Sequence, residues 1–380
     1  METKKKEKSG LAAIFMLCPL AHALAMAAAL VIAMFMLLKG DHGLMAALSE
    51  RLVRPAHRAL SVFWSRFSFS AAELLLACFS VAVIVYIIFR TIKLIHSKAK
   101  LRDVYITFMT LLAAGLLVYA GFCLLWGVYY YGDDFATANS LDDSEISTQD
   151  LTQTTAYFAS LLNDYGELVS RDSAGLYQAD RQAILARSHE VFAQAERLYP
   201  GLAGPDINAK GLRFSRVMSY LDFTGFFFPF TAEANVNTDF PPALFASTVA
   251  HELSHQRGVA KEQEANFTAV LASLEYGDWD YCYSACMLAY THLGNALYTA
   301  DYEAWETIYM SLSTPVRLDM SANRDYWRQF ETPVQTVSNS VYEGFLQSYG
   351  QSLGLRSYGA CVDLLVHYYI DRALSTGQVR

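Results

Sequence analysis

Ala243-Leu-Phe-Ala-Ser-Thr-Val-Ala-His-Glu-Leu-Ser-His-Gln-Arg-Gly258 is an apolar helical run that closes on an H-E-x-x-H pattern, His251 to His255. On a helix, positions i and i+4 share a face, so both imidazoles can address one ion. Glu252 lies one position further round, where its carboxylate can reach a water on the ion rather than the ion itself. Zinc lowers the pKa of such a water toward about 7, and the glutamate takes its proton as it attacks a carbonyl. The stretch therefore predicts zinc ligands at His251 and His255 and a general base at Glu252.

A catalytic zinc needs a third protein ligand and an open position. Gly258 can end the helix, and Lys261-Glu-Gln-Glu-Ala-Asn-Phe267 then starts another. Turned back on the first, this second helix would bring Glu262 or Glu264 to the metal. Ala269, Val270 and Leu274 define its buried side. Glu264 falls near that side and Glu262 roughly 200° away around the helix, so Glu264 is the expected ligand and Glu262 a solvent-facing acid.

The rest of the chain is unusually apolar: 53% of its 380 residues are hydrophobic and only 17% charged. The excess lies in three runs, about 11–38, 71–89 and 104–131, each close to the roughly 20 residues that cross a bilayer. The first is too long for a signal peptide and reads as a retained anchor. Lys4, Lys5, Lys6 and Lys8 precede it, and Arg90, Lys93, Lys98, Lys100 and Arg102 lie between the second and third runs. Basic flanks favour the cytoplasmic side, which places the N-terminus inside the cell and everything after Tyr131 outside. Between the first two runs, residues 40–70 carry Arg51, Arg54, Arg58 and Arg66 among apolar residues and read as an interfacial helix on the membrane.

Residues 1–131 hold 14 Lys/Arg against 6 Asp/Glu, whereas residues 132–380 hold 15 against 31. An acidic outer part repels phosphate, which excludes a nucleic-acid partner. Cys282 and Cys286, four apart, lack a second pair at metal-site spacing and read as core packing, as does Cys361. No disulfide framework is implied.

In the outer part, residues 147–165 and 181–198 read as helices and 226–237 as one or two short strands. Beyond Pro242 the pattern is helical, with breaks near Gly258, 278–280, 314–315 and 350–354. The fold expected is three N-terminal transmembrane helices (1–131) followed by an α+β, mostly helical, zincin-like extracytoplasmic domain (132–380).

Phe228-Pro-Phe-Thr-Ala-Glu-Ala-Asn-Val-Asn237, His251-Glu-Leu-Ser-His-Gln-Arg-Gly258, Glu262-Gln-Glu-Ala-Asn-Phe267, Val341-Tyr-Glu-Gly-Phe-Leu346 and Ser357-Tyr-Gly-Ala-Cys-Val-Asp-Leu-Leu365 share a further property. Together with the apolar runs, this set resembles an uncharacterised bacterial family of integral-membrane zinc metallopeptidases. The resemblance covers nearly the whole chain and implies a zincin-type domain outside the membrane, without supplying a substrate. Its Glu-x-Glu-Ala-Asn element is similar to the third-ligand helix of glutamate-type zincins, which supports Glu264. The eight residues between His255 and Glu264 are a short spacing for that pattern.

In a zincin an extended peptide adds to a sheet edge beside the metal helix. Residues 231–237 are the expected edge strand, with Glu233, Asn235 and Asn237 alternating on one face to bind substrate or to brace the metal helix. Tyr342 and Tyr358 are candidate oxyanion donors, and Asp363 could orient a ligand histidine. His292 and His367 read as structural or exposed. The activity expected is hydrolysis of peptide bonds in extracytoplasmic proteins or peptides at the bilayer. A zinc-binding transmembrane sensor and a cell-wall amide hydrolase are the alternatives. Intramembrane proteolysis is excluded because the motif lies well beyond the last apolar run.

Overall fold

A computed structural model describes residues 10, 12–141, 144–349 and 358–375, side chains of 358–360 excepted. The chain is mostly helical with one small sheet, and it divides into two compact units: residues 1–53 with 72–132, and 54–71 with 133–380.

The first unit contains three helices long and apolar enough to cross a membrane: Pro19–Leu38, Ala71–His96 and Lys100–Leu125. These are helices for lack of any alternative in hydrocarbon, where each backbone amide must be satisfied within its own segment. Their outer faces are apolar and exposed, as at Leu30, Ile84, Ile88 and Phe108. The Ala71–His96 span runs seven residues beyond its expected end. Arg90, buried in it, is held there by the Asp103 carbonyl (2.7 Å) and the Thr107 hydroxyl (2.8 Å) of the Lys100–Leu125 helix.

The second unit departs from the expected boundary. Residues 54–71, read above as lying on the membrane, pack with the outer part through helix α1 (Arg54–Trp64). The unit continues with α2 (Thr148–Leu168), β1 (Lys210–Gly211), β2 (Gly225–Phe228), β3 (Glu233–Val236), α3 (Phe245–Gln256) and α4 (Glu262–Tyr276). It closes with α5 (Trp279–Ala300), α6 (Tyr302–Ser311), α7 (Thr314–Arg328), α8 (Pro333–Ser348) and α9 (Tyr358–Ser375). Local chemistry sets these ends. Ser147, Asp278, Asp301 and Thr332 cap α2, α5, α6 and α8 with side-chain oxygens on backbone amides. Gly277, at φ +78°, ends α4.

The helix expected over 181–198 is broken into Arg181–Ala186, a 3-10 turn at 188–190, and Ala195–Leu198. Ser188 explains the break: its hydroxyl donates to the Leu185 carbonyl (2.8 Å) and accepts the Ala209 amide (3.0 Å). Such local bonds compete with helix continuation. The core is a stack of α2, α3, α4, α5 and α9 around Phe158, Phe245, Phe267, Leu271, Leu293 and Tyr369, all fully buried. All six cysteines are free thiols, and Cys282, Cys286 and Cys361 are buried, as core packing predicts.

The sheet corrects a second expectation. Its order is β1-β3-β2, with β3 parallel to β1 and antiparallel to β2. β3 is therefore the central strand, with β1 on one side and β2 on the other. Glu233, Asn235 and Asn237 are buried rather than presented to a ligand. Glu233 accepts Lys210 Nζ (2.6 Å), the Ala71 amide (3.2 Å) and the Thr231 hydroxyl (2.8 Å). Asn235 accepts the Ser70 hydroxyl (2.6 Å), and Asn237 donates to Ser219 (2.9 Å) and the Phe223 carbonyl (3.0 Å). Lys210 also donates to the carbonyls of Trp64 (2.8 Å) and Phe69 (2.9 Å). Polar groups of the strand thus fasten residues 64–71 to the sheet.

Candidate metal centre

α3 carries His251, Glu252 and His255 and is buried almost all round. Arg257 and Gly258 end it. Gly258 adopts φ +88°, a left-handed conformation that costs a glycine little, and its amide closes on the His255 carbonyl (2.9 Å). Four residues after Gly258, at Glu262, α4 begins and packs back along α3.

This reversal decides which glutamate faces the histidines. Glu262, the first residue of α4, lies over the two histidines: its Oε2 is 3.2 Å from His251 Nε2 and its Oε1 is 3.6 Å from His255 Nε2. The imidazole Nε2 atoms are 3.1 Å apart. A tetrahedral ion with bonds of about 2.0–2.1 Å spaces its ligands roughly 3.3–3.5 Å apart. The three separations bracket that value, so His251, His255 and Glu262 could hold one metal ion.

Glu264 is placed elsewhere, against expectation. It is buried, as its helical phase requires, but its carboxylate accepts the amides of Phe135 (3.0 Å) and Ala136 (3.1 Å) at the start of a short helix, Phe135–Ala138. Burial and the nearby Asp134 charge push its pKa up to about 7. The buried side of α4 is not the same as the side that faces the histidines. α4 is buried on more than one face, and the face toward α3 begins at Glu262 and returns one turn later at Asn266.

Asn266 and the Val259 carbonyl orient the two imidazoles. Asn266 Oδ1 meets His251 Nδ1 at 2.8 Å, and the Val259 carbonyl meets His255 Nδ1 at 2.7 Å. A carbonyl can only accept, so His255 carries a proton on Nδ1 and turns Nε2 inward, where it can meet a cation or a second proton. Two inward lone pairs and a carboxylate within hydrogen-bond distance repel one another unless a cation or proton lies among them.

The electrostatics follow from that crowding. Burial lowers the His255 pKa, but Glu262 outweighs it and the metal-free imidazole rises to about 9. Burial raises Glu262, and His255 with His251 outweighs it, holding this carboxylate well below its usual range. Glu252 is buried, and desolvation lifts it to about 7 against the pull of both histidines. Its Oε2 has no hydrogen-bond partner among the described residues.

Sequence reasoning passed over Gly225, the first residue of β2. A Cβ there would lie 2.6 Å from Glu252 Oε1 and 2.8 Å from the Asn235 carbonyl, so only glycine lets the strand pass this carboxylate. The glycine stands in a Thr-Gly-Phe-Phe-Phe run that reads as strand punctuation, with no signal of its neighbour across space.

Tyr342, expected as an oxyanion donor, gives its hydroxyl to Glu262 Oε1 at 2.8 Å. It thereby steadies the third donor. The Tyr358 side chain lies outside the described residues. His292 is buried and held to about 4 by desolvation and then by His251, and His367 bonds the Ser144 carbonyl (3.0 Å). Beside Tyr342 opens a cavity of about 740 Å3 between Leu221 and Phe223 on one side and Val337, Val341 and Phe345 of α8 on the other.

No curated protein and no solved structure matches the chain. A family model described as "Protein of unknown function (DUF3810)" matches residues 49–366, a span that includes the His251, His255 and Glu262 cluster, the sheet and most of the helical core. The chain is a member of that family.

Proposed function

We propose that this protein is a membrane-anchored zinc metallopeptidase, with its hydrolytic domain outside the cell and peptides or proteins near the membrane as substrates. The observation that carries the reading is the convergence of His251, His255 and Glu262 at tetrahedral spacing beside a buried glutamate. Two imidazoles and one carboxylate are a donor set of catalytic zinc sites, with the fourth position left for water or substrate. The zinc, when bound, would supply Lewis acidity and lower the pKa of water at its open position.

The chain's own residues supply the rest. Glu252, with a carboxylate pKa raised toward neutrality and no protein donor on Oε2, is matched to accept a proton from water and return it to the leaving amine. Asn266 and the Val259 carbonyl hold the imidazoles, and Tyr342 holds Glu262. The ligand side chains keep 8 to 22% exposure, so the centre is open on one side. The basic N-terminus and the basic segment between the second and third spans favour a cytoplasmic location for both.

The test is metal analysis of the detergent-purified full chain with digestion of a peptide library. Wild type should carry one zinc per chain and cleave. Glu252→Gln should keep the zinc and lose at least a hundredfold in rate. Absence of stoichiometric zinc in the wild type would sink the proposal.

A further inference from the structure

Glu262 stands in the end turn of a helix, where helices fray first. It is the first residue of α4, and Lys261 before it makes no side-chain cap to the helix amides. The first intrahelical bond runs from the Ala265 amide to the Lys261 carbonyl (2.9 Å). Terminal turns held only by their own bonds open easily. A donor that swings away from the histidines is in place for a fraction of the time, and apparent metal affinity falls by that fraction.

The residues on either side of Glu262 are tied to one short segment. Lys261 Nζ makes an ion pair with Asp134 Oδ2. Glu264 accepts the amides of Phe135 (3.0 Å) and Ala136 (3.1 Å). Asp134 Oδ1 accepts the Thr137 amide (2.8 Å). Two carboxylates, one from each partner, therefore take the leading amides of the Phe135–Ala138 turn. That turn is itself anchored in the core. Phe135 and Ala136 are buried, and the Phe135 ring centroid lies 5.4 Å from that of Tyr199 and 6.3 Å from that of Phe267. The start of α4 is held from residues 134–136 rather than by a cap of its own.

We propose that Asp134 and Lys261 are positioning residues for Glu262: their ion pair, with the Glu264 bonds beside it, fixes the first turn of α4 where Glu262 can complete the metal centre. The proposal rests on the metallopeptidase reading and extends that site to a segment 128 residues before Glu262. Neither side chain belongs to the donor cluster, so the pair acts through Glu262. Charge by itself makes a different prediction. An acid attracts a metal ion and a base repels it, so on Coulomb grounds loss of Lys261 should tighten binding. In a clamp, loss of either partner weakens it.

The experiment measures zinc affinity of the detergent-purified full chain by competition with a chelator, beside a melting curve of the metal-free protein. Asp134→Asn removes the charge but keeps an oxygen for the Thr137 amide, since asparagine caps as well as aspartate. Asp134→Asn and Lys261→Met should each weaken zinc about tenfold, as for a donor in place about a tenth of the time. The double variant should bind no more weakly than either single, because both remove one interaction. Lys261→Arg, which can remake the pair, should return affinity to within about twofold of wild type. Both side chains are part exposed, so the variants should fold, and the melting curve checks that they do.

Tighter binding in Lys261→Met with weaker binding in Asp134→Asn overturns the clamp and leaves bare charge. Lower melting temperatures with unchanged affinity also overturn it and leave the pair as structure. So does equal weakening in Lys261→Met and Lys261→Arg. In each of these cases wild type still binds zinc, and the metallopeptidase reading stands. Wild type that binds no zinc removes that reading and the clamp with it.

Discussion

Two parts of the second unit bury comparable numbers of polar side chains, and they treat them in opposite ways. In β3, Glu233, Asn235 and Asn237 are each met by donors or acceptors from the protein itself, including a lysine, a hydroxyl and backbone groups. At the α3–α4 reversal, His251, His255 and Glu262 turn acceptors toward one another, and Glu252 keeps an oxygen with no partner. Buried polar groups that are satisfied internally hold structure together. Partly buried groups whose acceptors converge, so that a shared cation or proton is needed among them, are arranged as a site. Polarity and burial alone do not separate the two cases; the direction of the lone pairs does.

The sharpest way to break this comparison is to exchange the two glutamates of α4. Glu262→Ala should lose the metal entirely after dialysis, whereas Glu264→Ala should keep one ion per chain and lose thermal stability through two unsatisfied amides at Phe135 and Ala136. Metal analysis with a melting curve on each variant decides it. The reverse result would restore Glu264 as the ligand.

The strand should behave as structure. Glu233→Gln leaves Lys210 nearly buried without its carboxylate, and breaking such a pair costs roughly 3–5 kcal/mol. Denaturant titration should show that loss, while zinc affinity of the folded protein stays within a factor of two. A large drop in affinity would mean that β3 belongs to the site after all.

Asn266→Ala tests the orienting bond on His251. Removing an outer partner of a metal-binding histidine typically costs ten- to a hundredfold in affinity, measured by competition with a chelator. An unchanged affinity would show that His251 is held by its helix alone.

The smallest effect concerns pH. In the metal-free centre His255 titrates near 9, raised by Glu262, so at pH 7 it carries a proton that a metal must displace. Affinity should therefore rise about tenfold per unit up to about pH 9, with one proton released per ion. Proton release in weakly buffered solution measures it, and uptake without release would contradict the placement of that proton.

Much of this was legible in the residues. The H-E-x-x-H spacing was enough to put His251 and His255 on one helical face, because the 3.6-residue period is local and leaves no freedom. Gly258 signalled the reversal for the same kind of reason. The three apolar runs became three helices, since length and hydropathy suffice where no water is present. The third donor was not legible: α4 is buried on several faces, so periodicity could not say which of them meets α3. Neither was the partner of Gly225, 27 residues from Glu252 in the chain, nor the docking of residues 64–71 onto β3.

Sequence by itself thus determined most of the elements, the histidine pair and the break between α3 and α4, all consequences of backbone geometry within one or two turns. The tertiary structure alone decided which glutamate faces the histidines, which strand is central and which polar residues are satisfied. Those depend on how helices and strands cross, and crossing is set by packing between residues far apart in the chain.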